Sequence, residues 1–435
     1  MFAYYFQLGL RSLRRNPMLT ALMVMAIGFG VAASMTTYAV FRATSNNPIP
    51  QKSSQLFAVQ VANWKPSDLD KGEPPNALSY TDASNLVRAH KALRESPMYP
   101  VAPSVIPADA SKMPFNASAY AAYSDVFAMF DIPFLYGGPW GHDQDQAHGA
   151  VVVIGKALND KLFGGANSVG REVDLDGHTY RVTGVMDTWN PQPLFFDPVN
   201  TQGFGDPVDL FLPFTRAIDM QMQTGGNNNC STPADSGWDG WLRSECIWIA
   251  YWAELPTAAD VAAYHRYLTG YAAEQQRAGR FTWAPNVRLR NVTQWLDFQH
   301  VVPPETKISL MVSLGFLLIC LVNTVGLLLA KFMRRAPEIG VRRALGASRG
   351  TVYAQFLIEA GAVGLAGGVL GLLLTGVGVY GVGLVFSKDI ARLATVDLSL
   401  VALTVLVAIG ATVLAAFYPT WRAAQVQPAW QLKSN

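Results

Sequence analysis

The sequence predicts a membrane protein with four transmembrane α-helices and a large α+β extracytoplasmic domain inserted between helices 1 and 2. Three observations carry that prediction. Four long stretches contain no Asp, Glu, Lys, Arg or His, and crossing a bilayer takes about 20 apolar residues. The segment between the first and second stretch mixes strand-like alternation with helical signals. Basic residues gather beside particular stretch ends, which sets sidedness. Composition agrees: of 435 residues, 50% are hydrophobic and 15% charged, with mean hydropathy +0.18. These values lie between those of a soluble and a membrane chain. A net charge of +2 gives no case for nucleic acid.

The spans run over residues 16–41, 308–330, 360–387 and 398–421, the first between Arg15 and Arg42 and the second between Lys307 and Lys331. Without charges they offer no ion or proton relay. Asn323, the main polar side chain of the second span, suits an interhelical hydrogen bond. The third span is dense in glycine. Gly364/Gly368 and Gly367/Gly371 have the spacing that lets helix backbones approach, either within the chain or between two copies. Residues 1–15 read as an amphipathic interfacial helix, with Phe2, Phe6, Leu10 and Leu13 on one stripe and Arg11, Arg14 and Arg15 reaching headgroups. The first apolar run exceeds a signal-peptide core, so an uncleaved anchor is expected.

Arg11, Arg14 and Arg15 precede the first span, a basic segment follows the second, and Arg422 and Lys433 follow the fourth. Both termini are therefore expected in the cytoplasm, including the tail at 422–435, with residues 42–307 outside. The segment 331–359 carries Lys331, Arg334, Arg335, Arg342, Arg343 and Arg349 against Glu338 and Glu359. Small residues and a Gly-Ala-Ser turn separate its arginines, which predicts a surface shaped for a partner. Gly346, Ala347 and Ser348 let the chain turn closely against it, and Arg342, Arg343 and Arg349 can pair with carboxylates. Binding of anionic lipid is the alternative.

In the inserted domain, residues 55–62 alternate like a strand and 79–91 read as a helix. From Ala150 onward the pattern is strand, helix, glycine-rich turn and hairpin, with Asp176-Gly177 as the hairpin turn. A strand at 247–255, a helix at 257–278 and a strand at 286–290 follow. Residues 187–206 and 225–240 read as long loops. Trp189, Trp238 and Trp241 lie in or beside them, as loop anchors or as binding residues. Cys230 and Cys246 flank a Gly/Asn/Ser-rich loop. An oxidising exterior predicts a disulfide there, contributing ~3 kcal/mol, with two unpaired thiols as the alternative. Cys320, in an apolar run, reads as an inert packing residue.

Chemistry-bearing motifs are sparse. The histidines show no HExxH or paired ligand spacing, so no metal site is expected. His142, Asp143, Asp145 and His148 form one local cluster, which reads as a solvated loop or a weak cation site. No Ser-His-Asp ordering stands out and no GxxxxGK[ST] occurs, so no nucleotide or other cofactor is expected on this chain.

Several segments in order resemble the permease subunit of MacB/FtsX-type (type VII) ABC transporters. LGLRSLRRNPMLTALMVMAIGFGVAA resembles the entry helix and first span. AVVVIGKALNDKLFGGANSVGREVDLDGHTYRVTGVM resembles the periplasmic core motif. RRAPEIGVRRALGASRGTVYAQFLIEA resembles the cytoplasmic coupling loop, and YPTWRAAQVQPAWQLKSN the tail. The resemblance implies a non-catalytic permease in a bacterial inner membrane, with its large domain in the periplasm. It implies a separate ATPase dimer carrying ATP and Mg, and a second permease copy or related permease. It also admits a periplasmic adaptor and an outer-membrane channel. Glu338, Ile339, Gly340, Arg342, Arg343, Gly346, Ala347 and Arg349 match the loop that contacts the ATPase. Cargo would be antibiotics, peptides or similar molecules, moved by mechanotransmission rather than through a pore. The alternatives are an FtsX-like transducer activating a cell-wall hydrolase, or a lipoprotein-extraction permease. Pro337, Trp421, Trp430 and the Cys230–Cys246 loop depart from the family pattern.

Overall fold

The computed structural model describes residues 17–109, 111–302, 304–385 and 396–425. The expected interfacial helix at 1–15, the charged residues Lys388, Asp389 and Arg392, and the tail beyond residue 425 with Trp430 and Lys433 lie outside the described residues. The chain forms two compact units: Met1–Ser45 with Val302–Asn435, and Asn46–Val301. The first unit opens with α1 (Pro17–Ser45) and resumes after the inserted domain.

The inserted domain is built on one twelve-stranded mixed sheet. Its strands are β1 (Leu56–Val61), β2 (Arg94–Val101), β3 (Ser104–Ile106), β4 (Phe115–Asn116), β5 (Ala119–Ala122), β6 (Phe134–Gly137), β7 (Val151–Gly155), β8 (Glu172–Leu175), β9 (His178–Met186), β10 (Leu210–Pro213), β11 (Ala250–Glu254) and β12 (Val287–Asn291). The order is β12-β1-β11-β2-β5-β10-β7-β9-β8-β3-β4, with β6 added on β9. Pairing is antiparallel except for β5–β10 and β7–β9.

Successive side chains of a strand point to opposite faces, and in β1, β5, β7 and β10 both faces are buried. Phe57, Val59, Val152, Ile154, Leu210, Leu212, Tyr251 and Ala253 point to one core, capped by Leu86 of α2 (Tyr80–Ala89), Leu158 of α3 (Lys156–Phe163), and Tyr264 and Leu268 of α5 (Ala258–Arg277). A further short helix, α4 (Gly237–Arg243), packs Trp238, Trp241 and Leu242 against the same core. Leu56, Ala58, Val151, Val153, Phe211 and Trp252 point to the other core, covered by Phe127, Phe130, Phe195 and Phe196. That double burial explains why β7 reads as an unbroken apolar run, VVVIG.

Local signals fix the element ends. Ser79 caps α2 by accepting from the Asp82 N–H at 3.2 Å. Thr257 and Asp260 form a reciprocal capping box on α5. Asp176 and Gly177 turn the β8–β9 hairpin with φ of 54° and 81°, the primed geometry that this pair favours. The segment 187–206 differs from the expected loop. It carries the short helix Pro198–Thr201 and buries Leu194, Phe195 and Phe196, so its backbone is irregular while its side chains belong to the core.

Among the described residues, four helices are long and apolar enough to cross a membrane: α1, α6 (Pro304–Met333), α8 (Arg349–Val385) and α9 (Leu398–Ala424). The short α7 (Ala336–Ala344) lies between α6 and α8. The third long helix thus starts at Arg349 rather than at Ala360. Its glycines meet this chain's own helices. A Cβ on Gly364 would sit 3.0 Å from the Ala408 carbonyl oxygen and from Ile409 Cα of α9, and one on Gly367 2.8 Å from Ile27 of α1. The small-residue stripe is therefore an intrachain seam in this unit. Arg42 near the end of α1 pairs with Asp397 at 3.0 Å, and Asp397 caps α9 through the Leu400 N–H. Asn323 does not make the expected interhelical bond. It is exposed on α6 and hydrogen-bonds nothing among the described residues.

Candidate functional site

The basic segment folds into a fastened foot between two long helices. At the end of α6, Lys331 and Phe332 are buried, and Glu359 of α8 is 3% exposed. Lys331 Nζ lies 2.9 Å from Glu359 Oε1, and Arg335 donates to Glu359 Oε2 at 2.7 Å. One carboxylate thus holds two cations, and removing it would leave a buried Lys331 without countercharge. The rings of Phe332 and Phe356 pack 4.4 Å apart beside this cluster, and Arg335 lies over Phe356.

From that base α7 rises with Pro337 in its first turn, a position where a missing N–H does no harm. Ile339 is buried in one apolar cluster with Val352 and Phe356 of α8, and Gly340 is buried as well. Glu338 accepts from Arg342 at 2.6 Å, one helical turn on, and Arg342 also donates to Gln355 of α8 at 3.1 Å. The helix ends in a turn where Gly346 takes φ +99°, a conformation that suits glycine. Ser348 then accepts from the Thr351 N–H to start α8.

The eight matched residues therefore divide. Arg342, Gly346 and Arg349 are exposed, and Arg343 and Ala347 are half-buried. Glu338, Ile339 and Gly340 face their own chain, where they orient α7. The outward face includes two residues that sequence reasoning passed over: Val341 at 54% and Leu345 at 83% exposure. Their i, i+4 spacing with Pro337 was the available signal. The surface is an apolar strip edged by Arg342 and Arg349.

Other sequence candidates lie in the inserted domain. Cys230 and Cys246 are joined by a disulfide, and Cys320 is a buried free thiol. The 142–148 cluster ties down its own loop. Asp145 is buried, accepts from Trp140 Nε1 and the Ser124 N–H, and is held above the ordinary carboxyl range by desolvation. His148 contacts Asp219, and His142 contacts Ser124. Among the described residues no three His, Cys, Asp or Glu side chains converge as metal ligands. Trp189 stacks on Phe196 with ring centroids 5.4 Å apart, as a loop anchor does.

Three buried polar nodes were not legible in sequence. Glu95 of β2 accepts from the hydroxyls of Tyr251 and Tyr264 at 3.0 and 3.1 Å, and burial pushes its carboxyl up to about 7. Asp197 accepts from Tyr120 at 2.6 Å and is likewise pushed up to about 7 by burial. Arg280 joins Asp82 at 2.6 Å and Glu245 at 2.7 Å. Burial opposes its charge, but these carboxylates outweigh that and hold the guanidinium protonated.

A family model described as the MacB-like periplasmic core domain matches residues 20–271, and one described as the FtsX-like permease C-terminal matches residues 310–428. The macrolide export ATP-binding/permease protein MacB of Syntrophobacter fumaroxidans is 23% identical over 98% of this chain and 63% of its own length. Its counterpart in Pasteurella multocida is 24% identical over 95% and 56%. That of Escherichia coli K12 is 25% identical over 84% and 51%. The chain thus spans between half and two thirds of these relatives. Among solved structures, the periplasmic region of MacB from Actinobacillus actinomycetemcomitans aligns with TM-score 0.36 at 13% identity, covering 56% of this chain and 92% of that one. The extracellular domain of the noncanonic ABC-type transporter YknZ from Gram-positive bacteria aligns with TM-score 0.34 at 11% identity, covering 54% and 99%.

Proposed function

This chain belongs to the family of MacB-like, FtsX-like ABC permeases, and from that premise we propose that it is the permease of an ATP-driven exporter working by mechanotransmission. An ABC ATPase dimer docks on α7 and the turn after it. Its ATP-driven closure moves the inserted domain, which acts on cargo outside a bacterial inner membrane. The cargo class is antibiotics, peptides or similar molecules, in keeping with relatives named as macrolide exporters. The transport unit holds two permeases, and both termini lie in the cytoplasm. An adaptor and an outer-membrane channel are the partners this reading admits.

The observation that carries the reading is the foot itself. The short helix α7 and the turn after it, up to the first residue of α8, present Val341, Arg342, Leu345 and Arg349 outward while Glu359 clasps the base. Displacement of α7 by a docked protein would be passed directly into α6 and α8. An apolar strip rimmed by arginines fits a protein groove with acidic edges better than it fits lipid headgroups alone. The test is co-purification and ATPase stimulation by the Leu345→Glu/Arg349→Glu variant in lipid nanodiscs. Membrane insertion should persist, while ATPase co-purification and stimulation fall by at least about tenfold. Undiminished stimulation would overturn the docking assignment.

A further inference from the structure

The inserted domain contains a cavity of about 400 Å³ whose lining includes Gln221, Gln223, Asn228, Asp235, Trp238 and Trp241. We propose that it is a binding site for a neutral saccharide of one or two rings, an activity separate from ATPase coupling. The volume lies in the range of small-molecule sites, roughly 300–1,000 Å³.

The walls match that chemistry. Trp238 and Trp241 of α4 are only partly buried and flank the cavity. Trp238 is held by donating its indole N–H to the Ile218 carbonyl at 3.1 Å. Both indoles pack on Trp248, with centroids 6.4 and 6.1 Å away. They are rigid apolar platforms, suited to the C–H faces of a pyranose ring. In the same lining, the side chains of Gln221, Gln223, Asn228 and Asp235 make no hydrogen bond among the described residues. Each amide offers two donors and an acceptor, and the carboxylate offers acceptors only. Vicinal hydroxyls, which both donate and accept, satisfy such a set.

Charge excludes the main competitors. Among the described residues no lysine, arginine or histidine lines the cavity, so a phosphate or carboxylate ligand finds no countercharge. A single carboxylate is a weak attractor for a polycation. The rim is also held in place before any ligand arrives. The Cys230–Cys246 disulfide closes the loop, Asn229 and Ile247 exchange backbone hydrogen bonds at 3.1 and 2.8 Å, and the Gly225 N–H donates to the Pro100 carbonyl at 2.8 Å. Preorganisation of this kind lowers the ordering cost of binding.

The experiment uses the full chain in lipid nanodiscs free of sugar-based detergent. Cellobiose and the N-acetylglucosamine disaccharide are titrated by tryptophan fluorescence and by saturation-transfer NMR. At least one should bind saturably. Trp241→Ala and the doubly exposed variant Gln223→Ala/Asn228→Ala should each weaken it by about tenfold, and Trp189→Phe, outside the cavity, should not. The double variant removes only exposed polar groups, so a folding defect in Trp241→Ala leaves the test intact. Absence of saturation with both sugars, unchanged affinity in the double variant, or stronger binding of a digalacturonate or a tetralysine peptide would each overturn the assignment.

Discussion

Replacing Glu95 by glutamine should change how the inserted domain's stability depends on pH. Glu95 is 1% exposed and receives hydrogen bonds from Tyr251, Tyr264 and the Lys91 N–H, with His90 Nδ1 3.6 Å away. Its own N–H donates to Asp125, whose negative charge also disfavours a second carboxylate nearby. Burial lifts the carboxyl from 4.5 to about 7. In the folded state the proton is therefore held across a window where the unfolded chain has released it. The contribution is fully present below about 4.5, is lost as pH rises through the folded value, and is flat above it. At 1.36 kcal/mol per pKa unit, the loss across the window is about 3 kcal/mol. Glutamine keeps the volume and stays neutral, so it removes this dependence. Its amide also meets the Lys91 N–H, adding a destabilisation that does not vary with pH. The measurement is urea unfolding of Asn46–Val301, wild type against Glu95→Gln, between pH 4 and 8. The difference in unfolding free energy should move in the variant's favour by up to about 3 kcal/mol from the acid to the neutral end. Subtracting the two curves removes Asp197 and Asp145, whose pKa values are also raised. A flat difference curve would refute the reasoning.

Two further outcomes follow from packing. Arg280→Met would leave Asp82, 0% exposed, without its countercharge, and should destabilise the domain by about 3–5 kcal/mol in the same urea assay. Gly364→Ala places a Cβ 3.0 Å from α9 backbone atoms, whereas Gly376→Ala meets nothing within 4 Å. The first should lower thermal stability of the detergent-solubilised chain by about 1–3 kcal/mol, and the second should leave it unchanged or raise it by about 0.5–1 kcal/mol.

The spans were legible because few buried core helices run so long without a single charge. The block from Ala150 to Met186 was legible because Asp176-Gly177 punctuates it and α3 separates two β-rich runs. Strand β2 was hidden. Its sequence, RESPMYPV, carries two prolines and a glutamate, yet six of its eight residues are buried and the strand lies between β11 and β5. Proline ordinarily argues against a central strand. Glu95 looked like a surface residue because its two tyrosine donors come from distant segments. The start of α8 was hidden for a related reason. Glu359 reads as the end of a polar loop, but Lys331 and Arg335 neutralise it, so the helix runs on through it. The foot's position between two spans was readable from the arginines. Which of its residues face outward was not, because α7 is two turns long and its inward face is set by contacts with α8.

The clasp at Glu359 also has a mechanical meaning. It joins the last turn of α6 to an early turn of α8 through a buried charge shared by two cations. If those helix ends splayed apart, Glu359 would have to leave at least one cation unpaired in an apolar setting, at a cost of several kcal/mol. The two rods therefore share one stiff rivet at the base of the short helix between them. Were a docked partner to push on α7, the load would reach both α6 and α8 through this one buried carboxylate.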